Sequence, residues 1–185
     1  MISDKIKEEA LRAIKILKKL NIEPIMLTGD NAHAADFVAK TLGIKKVYAS
    51  LLPEEKVEKI KELKKDFNFV AMVGDGINDA PSLVAANVGI AMGIGSSDSA
   101  IETADVVLMN GNLLNTPYVL NLGKKTLKTI KQNITVSLGI KAVFLLLALF
   151  GFTHLEYAIG ADSGVAILVI LNGLKLFHIK NVPLN

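Results

Sequence analysis

Short apolar runs alternate with amphipathic stretches over the first 110 residues of the chain. The predicted strands are short, continuous apolar runs at 25–27, 47–49, 69–73, 88–92 and 106–109. The predicted helices have apolar residues three or four positions apart, over 3–20, 32–42, 53–66 and 82–86. Ser3 is the candidate N-cap of the first helix. Strands that alternate with helices in this way predict an α/β fold with a doubly wound parallel sheet.

Two long apolar stretches dominate the remainder of the chain. Residues 134–153 and 157–177 are each long enough to cross a bilayer as a helix, and the short link between them predicts an α-helical transmembrane hairpin. An amphipathic stretch, 113–131, leads into the first of them. Lysines at 124–131 and 175–180 flank the hairpin, so both of its ends and the α/β part are expected in the cytoplasm. The alternative is two buried helices of a soluble protein.

Composition adds three constraints. Hydrophobic residues make up 51% of the chain and the mean hydropathy is +0.42, and the apolar excess lies after Asn133. There is no cysteine, which excludes disulfides and thiolate metal ligands. The net charge of +3 is modest and no array of basic and aromatic residues is present, so no nucleic-acid partner is expected. We divide the chain into an α/β domain, an amphipathic stalk, a transmembrane hairpin and a tail, at residues 1–111, 112–132, 133–180 and 181–185.

The stretch from Met72 to Pro81 is the strongest candidate for chemistry. An apolar run ends there in a turn that contains two glycines and two aspartates, Asp75 and Asp79, and Pro81 opens the next helical pattern. Carboxylates at the tip of a strand are suitable ligands for Mg²⁺, which prefers oxygen and keeps a substrate phosphate in its shell. Glycine lets the backbone approach that phosphate. The sequence therefore predicts a magnesium and phosphate site, against the alternative of a plain polar turn.

Two further positions can contribute to such a site. Thr28 and Gly29 follow the first predicted strand, where a hydroxyl and free backbone N–H groups can bind a phosphate oxygen. The same turn can instead cap the next helix through Asp30 or Asn31. By composition Lys56 is a surface lysine, but it lies in the first turn of a predicted helix, between the two polar turns. In a doubly wound sheet such turns meet at the carboxyl ends of the strands, where ligands bind.

Four motifs follow one another in a specific order and spacing. They are MLTGDN at 26–31, PEEK at 53–56, MVGDGINDAP at 72–81 and AMGIGSSDSAIETADVVL at 91–108. Together they resemble the phosphorylation domain of P-type ATPases, a family of the haloacid dehalogenase superfamily. The resemblance covers nearly all of residues 1–110 and implies a doubly wound parallel sheet of haloacid dehalogenase type. It also implies a cycle in which ATP phosphorylates an aspartate and water then removes the phosphate.

The resemblance assigns roles to individual residues. It implies that Thr28 binds the phosphoryl group and that Lys56 neutralises its charge, which agrees with the dependence of phosphoryl transfer on positioning and charge neutralisation. The catalytic set that it implies is Thr28, Gly29, Asp30, Lys56, Asn78 and Asp79. The Mg²⁺ ligands that it implies are Asp75 and Asp79.

One motif of the family has no counterpart in these 185 residues. The family phosphorylates the aspartate of a DKTG motif, which precedes its nucleotide-binding domain and the region matched here, and Asp4–Lys5–Ile6 does not substitute for that motif. The resemblance therefore implies the C-terminal part of a pump, whose partner is the missing N-terminal part. Alone, the chain is expected to form no phosphoenzyme. ATP is expected to bind mainly to a domain outside this chain.

Each apolar stretch contains one ionisable residue in its interior, Lys141 in the first and Asp162 in the second. Charges at such depth are costly and by default indicate function, so the two form a candidate pair. The alternatives are snorkelling for Lys141 and an interface position for Asp162. The surrounding sequences resemble the last two membrane helices of heavy-metal pumps of the zinc, cadmium and lead class, which implies that Asp162 binds the transported cation and that Lys141 is its counter-charge. A carboxylate suits Zn²⁺ better than Cu⁺.

The most complete interpretation is the C-terminal portion of an ATP-driven heavy-metal cation pump of the cell membrane, for Zn²⁺ or Cd²⁺. Its expected ligands are Mg²⁺, ATP and a transported divalent metal. A membrane-anchored phosphatase of haloacid dehalogenase type is an alternative, which the missing nucleophile disfavours. A non-catalytic partner chain or remnant is a further alternative.

Overall fold

The computed structural model describes residues 6–74, 77–93, 98–152 and 155–178. The chain forms two compact units and passes from the first to the second between Pro117 and Tyr118. The strands are β1 (Ile25–Leu27), β2 (Lys46–Tyr48), β3 (Ala71–Gly74), β4 (Val88–Met92) and β5 (Val106–Leu108). The helices are α1 (Glu8–Lys19), α2 (Ala32–Leu42), α3 (Pro53–Asp66), α4 (Ala80–Ala85), α5 (Asp98–Thr103), α6 (Asn115–Leu149) and α7 (Leu155–Leu174). Short 3₁₀ turns cover Ile77–Asp79 and Lys175–His178.

The strands of the first unit pair in parallel, which confirms the predicted α/β architecture. β1 pairs with β2, from Ile25 opposite Lys46 to Leu27 opposite Tyr48. β4 lies between β3 and β5. The described strands form two ladders, β1–β2 and β3–β4–β5, where the sequence predicted one sheet. The periodicity of a strand does not specify its neighbours, so this division could not be read from the apolar pattern.

α1 begins later than its apolar pattern predicts. It starts at Glu8, with Lys7 in an extended conformation at the N-cap position and no side-chain cap. Ser3, the candidate N-cap from the sequence, lies outside the described residues. Glu8 and Glu9 favour the observed start because carboxylates in the first turn interact well with the helix dipole. The buried face of α1 consists of Ala13, Ile14, Ile16 and Leu17.

Local sequence sets one end of each of the next two helices. Gly43 ends α2 in the left-handed conformation, with a φ of 67°. Pro53 occupies the first turn of α3, where its missing N–H would have no helical partner. The Glu55 carboxylate accepts a 2.7 Å hydrogen bond from the Leu52 N–H. These signals are local, and the predicted bounds of α2 and α3 agree with the structure.

The core of the three-stranded ladder is built on β4. Ile90 and Ala91 are completely buried, and Leu83 of α4 is 1% exposed. Gly89 brings β4 against α4, since a Cβ there would lie 2.8 Å from the carbonyl oxygen of Leu83. The Asp105 carboxylate accepts a 2.8 Å hydrogen bond from the Gly89 N–H. This close packing fixes α4 and the 3₁₀ turn that leads into it.

α6 and α7 are candidate membrane-spanning helices by length and apolar composition. The predicted stalk at 113–131 and the predicted first span at 134–153 lie in one continuous helix, α6. The second span, predicted at 157–177, consists of α7 and the 3₁₀ turn that follows it. Large apolar side chains on α6 are exposed, as for Leu145 at 63%. The alternative of two buried helices in a soluble protein therefore does not fit the structure.

We expect Gly89→Ala to destabilise the three-stranded ladder by about 1–3 kcal/mol, because the added methyl group overlaps the backbone carbonyl of Leu83. Hydrogen exchange of the β4 amides, measured on the detergent-solubilised full chain, reports the change. Gly123→Ala is the matched control, since a Cβ at Gly123 meets no atom within 4 Å. Unchanged exchange in Gly89→Ala would show that β4 and α4 are less closely packed than described.

Candidate active site

The turn after β1 is closed by Thr28 and Asp30, with the exposed Gly29 between them. The Thr28 hydroxyl donates a 3.0 Å hydrogen bond to the Asp30 carboxylate, and the Asp30 N–H donates a 3.1 Å hydrogen bond to that hydroxyl. Asn31, rather than Asp30, caps α2 by accepting a 3.0 Å hydrogen bond from the Ala34 N–H. Capping and the Thr28 turn therefore use different side chains, and capping leaves Thr28 available for a ligand.

The Thr28 turn is tied to the loop that leads into α3. The Leu51 N–H donates to the Thr28 carbonyl oxygen at 3.0 Å, and the Ser50 N–H donates to the Asp30 carbonyl oxygen at 2.7 Å. These backbone bonds connect the end of β1 to the start of α3. They give the first turn of α3, where Lys56 lies, a defined position relative to Thr28.

Lys56 forms an ion pair with Asp79, in the 3₁₀ turn after β3. The Lys56 Nζ atom lies 2.8 Å from Oδ1 of Asp79. The two side chains are only 14% and 15% exposed, so each charge has lost most of its water and depends on the other. Gly74 makes room at the end of β3, because a Cβ there would lie 2.8 Å from the Asp79 Cβ. The structure thus brings two predicted site residues together, and Lys56 is not an ordinary surface lysine.

Lys59, one turn further along α3, shows the contrasting surface arrangement. It donates a hydrogen bond to Glu62, and its Nζ atom lies 4.7 Å from the centroid of the Tyr48 ring. The hydrogen bond raises the pKa of Lys59 and lowers the pKa of Glu62. Glu62 is exposed, and water screens such a pair. Lys59 is therefore a suitable control for Lys56.

The described part of the site supplies oxygen ligands for a cation. Within the described ranges, no three His, Cys, Asp or Glu side chains are grouped so that they could hold a metal ion. Asp75, a predicted Mg²⁺ ligand, lies outside the described residues, directly after the end of β3. Asn78 is exposed in the 3₁₀ turn, next to Asp79. Carboxylate and amide oxygens at a strand end are donors of the kind that Mg²⁺ prefers, so the residues present fit that ion.

In the second unit, the structure brings together the two ionisable residues of the predicted spans. The Lys141 Nζ atom lies 3.1 Å from Oδ1 of Asp162. Both side chains are more than half exposed, at 57% and 58%, on helices with mostly apolar surfaces. In a bilayer, pairing lowers the cost of both charges. The Lys141 side chain reaches α7 rather than an end of its own helix, which argues against snorkelling.

Asn133 and Asn172 are not among the predicted site residues, but the structure joins them. The Asn172 amide donates a 2.8 Å hydrogen bond to Oδ1 of Asn133, across the hairpin. The sequence feature that could have pointed to this contact is a polar amide in or beside each apolar stretch. Ser50 and Leu51, which hold the Thr28 turn, carry no such signal because they act through backbone groups.

Comparison with known proteins connects both units to one family. Residues 1–87 match a hydrolase family model described as haloacid dehalogenase-like hydrolase. A probable cadmium-transporting ATPase of Listeria monocytogenes is 49% identical over 181 residues, which cover 97% of this chain and 26% of the relative. A zinc-transporting ATPase of Synechocystis is 46% identical over 179 residues, which cover 95% of this chain and 25% of the relative.

A solved structure gives the same result. The crystal structure of a zinc-transporting PIB-type ATPase in the E2.Pi state matches 94% of this chain with a TM-score of 0.88 and 43% identity, and the match covers 28% of that protein. The chain spans about a quarter of the length of the curated relatives that it matches. The matches cover nearly the whole chain, through the α/β unit and the helical hairpin, so this chain is similar over that length to part of the heavy-metal-transporting P-type ATPases.

Proposed function

We propose that this chain is the C-terminal portion of an ATP-driven pump for Zn²⁺ or Cd²⁺. The observation that carries the proposal is the presence, in one chain, of the Lys56–Asp79 pair at a strand end and the Lys141–Asp162 pair in the hairpin. Relatives named as cadmium- and zinc-transporting ATPases support the choice of metal. The remaining part of the pump, with most of the ATP site, is the proposed partner.

At the α/β site, Thr28 and Lys56 hold the phosphoryl group in this proposal. The hydrogen bond from the Thr28 hydroxyl to Asp30 is exposed, so the hydroxyl can donate to a phosphoryl oxygen instead. Lys56 supplies positive charge, and its ion pair with Asp79 keeps the ammonium at the site before substrate arrives. A preorganised charge of this kind stabilises the charge that develops during transfer.

Asp75, Asp79 and Asn78 hold Mg²⁺ in the same proposal. Oδ1 of Asp79 pairs with Lys56, and a carboxylate has further lone pairs with which it can bind a cation. The ion, when bound, neutralises charge on the phosphoryl oxygens. The residues of this chain orient the phosphoryl group between Thr28 and Lys56.

The division of the strands supports a contribution from another segment. In the described part of the chain, β1 pairs only with β2, and β3 pairs only with β4. A further parallel strand that paired with both β1 and β3 would join the two ladders and end beside Thr28 and Asp79. In our proposal this strand comes from the N-terminal part of the pump and brings the aspartate of its DKTG motif to the site.

In the hairpin, Asp162 binds the transported cation and Lys141 replaces that cation when it leaves. The 3.1 Å contact shows that the ammonium can reach the carboxylate. A hard oxygen ligand suits Zn²⁺, and the chain offers no thiolate. The lysine-rich flanks support a cytoplasmic location for the α/β unit in a protein that crosses the cell membrane.

Complementation tests the proposed function. The segment of the Listeria relative that precedes its match with this chain is co-expressed with this chain, and membranes are incubated with γ-³²P-ATP, Mg²⁺ and Zn²⁺. We expect acid-stable label on the companion segment only when this chain is present, because the companion lacks Thr28 and Lys56. Two results would contradict the proposal. One is label on the companion segment when this chain is absent, and the other is no label when both are present.

In the same assay we expect Lys56→Ala to lower the rate of labelling by about 100- to 1,000-fold, because charge neutralisation is lost. It also leaves Asp79 without its partner, at a cost of roughly 2–4 kcal/mol in stability. Lys56→Gln keeps a hydrogen-bond donor for Asp79, so it should remain folded while labelling stays low. Lys59→Ala is the control and should label normally. Parental labelling of Lys56→Gln would refute a catalytic role for this charge.

We expect Asp162→Asn to raise the Zn²⁺ concentration for half-maximal labelling by about 10- to 100-fold or more. Loss of a residue that only supports a metal ligand lowers metal affinity by about that factor, and loss of a ligand itself should lower it at least as much. Labelling at a series of Zn²⁺ concentrations measures the change. Glu156→Gln makes the same chemical change at an exposed position near the start of α7 and is the control. Equal Zn²⁺ dependence of the two variants would exclude Asp162 as a ligand.

A further inference from the structure

Two asparagines form a polar contact across the hairpin. The Asn172 Nδ2 atom donates to Oδ1 of Asn133 at 2.8 Å, and the Asn133 Nδ2 atom donates to the Val169 carbonyl oxygen at 3.4 Å. The Lys175 ammonium donates to Oδ1 of Asn172 at 3.3 Å. The amide nitrogen and the amide oxygen of both asparagines are therefore hydrogen-bonded, where the lysine-bearing ends of the two helices meet their apolar stretches.

The asparagines lie on the faces along which α6 and α7 approach each other. From residue 126 onward, the less exposed side chains of α6 recur every three or four residues, at Thr126, Thr129, Asn133, Ser137, Ile140 and Phe144. The corresponding positions described in α7 are Ala161, Val165, Val169, Asn172 and Gly173. We call these two rows the seam. Val165, near its centre, is only 5% exposed.

The contact at the asparagines and the contact at the charges belong to one antiparallel alignment. Lys141 lies eight residues after Asn133, and Asp162 lies ten residues before Asn172. At a rise of 1.5 Å per residue, these separations are about 12 and 15 Å along the two helices. A slip of one step along the seam, three or four residues, moves one helix by about 5 Å and separates Lys141 from Asp162.

The apolar part of the seam gives little reason to prefer one alignment. Small and branched side chains pack in several positions, and lipid supplies no hydrophobic force that favours one of them. An amide does discriminate, because a slip separates its donor and acceptor from the partners that they have across the hairpin, and such unpaired polar groups are costly beside the apolar stretches. A single polar residue at a seam position fixes the register of coiled coils in the same way.

We propose that Asn133 and Asn172 act as a register lock, which aligns α6 and α7 so that Lys141 meets Asp162. The two asparagines are positioning residues, since neither contacts the ion pair in the structure. The consequence for metal binding rests on the proposed function, whereas the alignment itself does not. If the two asparagines only stabilised the association of the helices, their removal would weaken that association without changing the register.

Disulfide formation in lipid vesicles tests the register lock, and the chain has no cysteine of its own to interfere. Ile140→Cys is combined in turn with Ala161→Cys, Val165→Cys and Val169→Cys, which sample three successive steps of the seam. After oxidation, thiols that remain free are counted with a maleimide mass tag, and non-reducing gels identify links between chains. In the parent chain we expect the Val165→Cys pair to close fastest.

The informative variant is Asn133→Leu/Asn172→Leu, which keeps an apolar seam but removes both amides. We expect the preference for the Val165→Cys pair to fall by about three- to tenfold, with closure rising at a neighbouring step, in line with the strength of one or two hydrogen bonds between membrane helices. Ser163→Ala is the control, because its hydroxyl bonds to the Ile159 carbonyl of its own helix. It should leave the preference unchanged.

Two results would overturn the register lock. One is an unchanged preference in the double leucine variant, and the other is the absence of any preference in the parent chain. The readout depends on thiol chemistry alone, so failure of the pump proposal would not alter it. Conversely, the double leucine variant could lose its register and still show normal zinc-dependent labelling. That result would support the register lock and show that labelling does not need the ion pair between Lys141 and Asp162.

Discussion

The ion pair between Lys56 and Asp79 is the interaction on which the candidate active site depends. It joins α3, which follows the β1–β2 ladder, to the 3₁₀ turn that follows β3. The two ladders share no strand pairing in the described part of the chain. The ion pair, together with the packing of α3 on α4, where the Lys64 ammonium donates to the Ala85 carbonyl at 3.0 Å, therefore holds the two strand ends in one site. Because both charges are largely buried, neither can lose its partner without a replacement.

The need of Lys56 and Asp79 for charged partners suits a site that binds a phosphoryl group and a cation. In the proposed function, Lys56 would pair with the phosphoryl group and Asp79 would help to hold Mg²⁺, so each largely buried charge would still have a partner of opposite charge. The Thr28 hydroxyl and the exposed Asn78 add neutral hydrogen-bonding groups to the site. A largely buried charge that always has a partner of opposite charge avoids the cost of being desolvated alone.

In the hairpin, too, polar groups need partners, because the surrounding medium is lipid. Apolar side chains make α6 and α7 compatible with lipid but specify little about how they align. The polar contacts, Lys141 with Asp162 and Asn133 with Asn172, are costly if unmatched and therefore select the arrangement in which all four side chains are paired. In both units, a few polar groups in poorly hydrated surroundings determine the geometry.

The order of the elements and their approximate bounds could be predicted from the sequence, because periodicity, proline and glycine act locally. It also indicated the residues with unusual chemistry, since a charge in an apolar stretch or a carboxylate at a strand tip can be recognised without a partner. The direct contacts of Lys56 with Asp79 and of Asn133 with Asn172 became visible only in the folded chain. These contacts join residues 23 and 39 positions apart. Pairings over such distances depend on how elements pack, which no local pattern encodes.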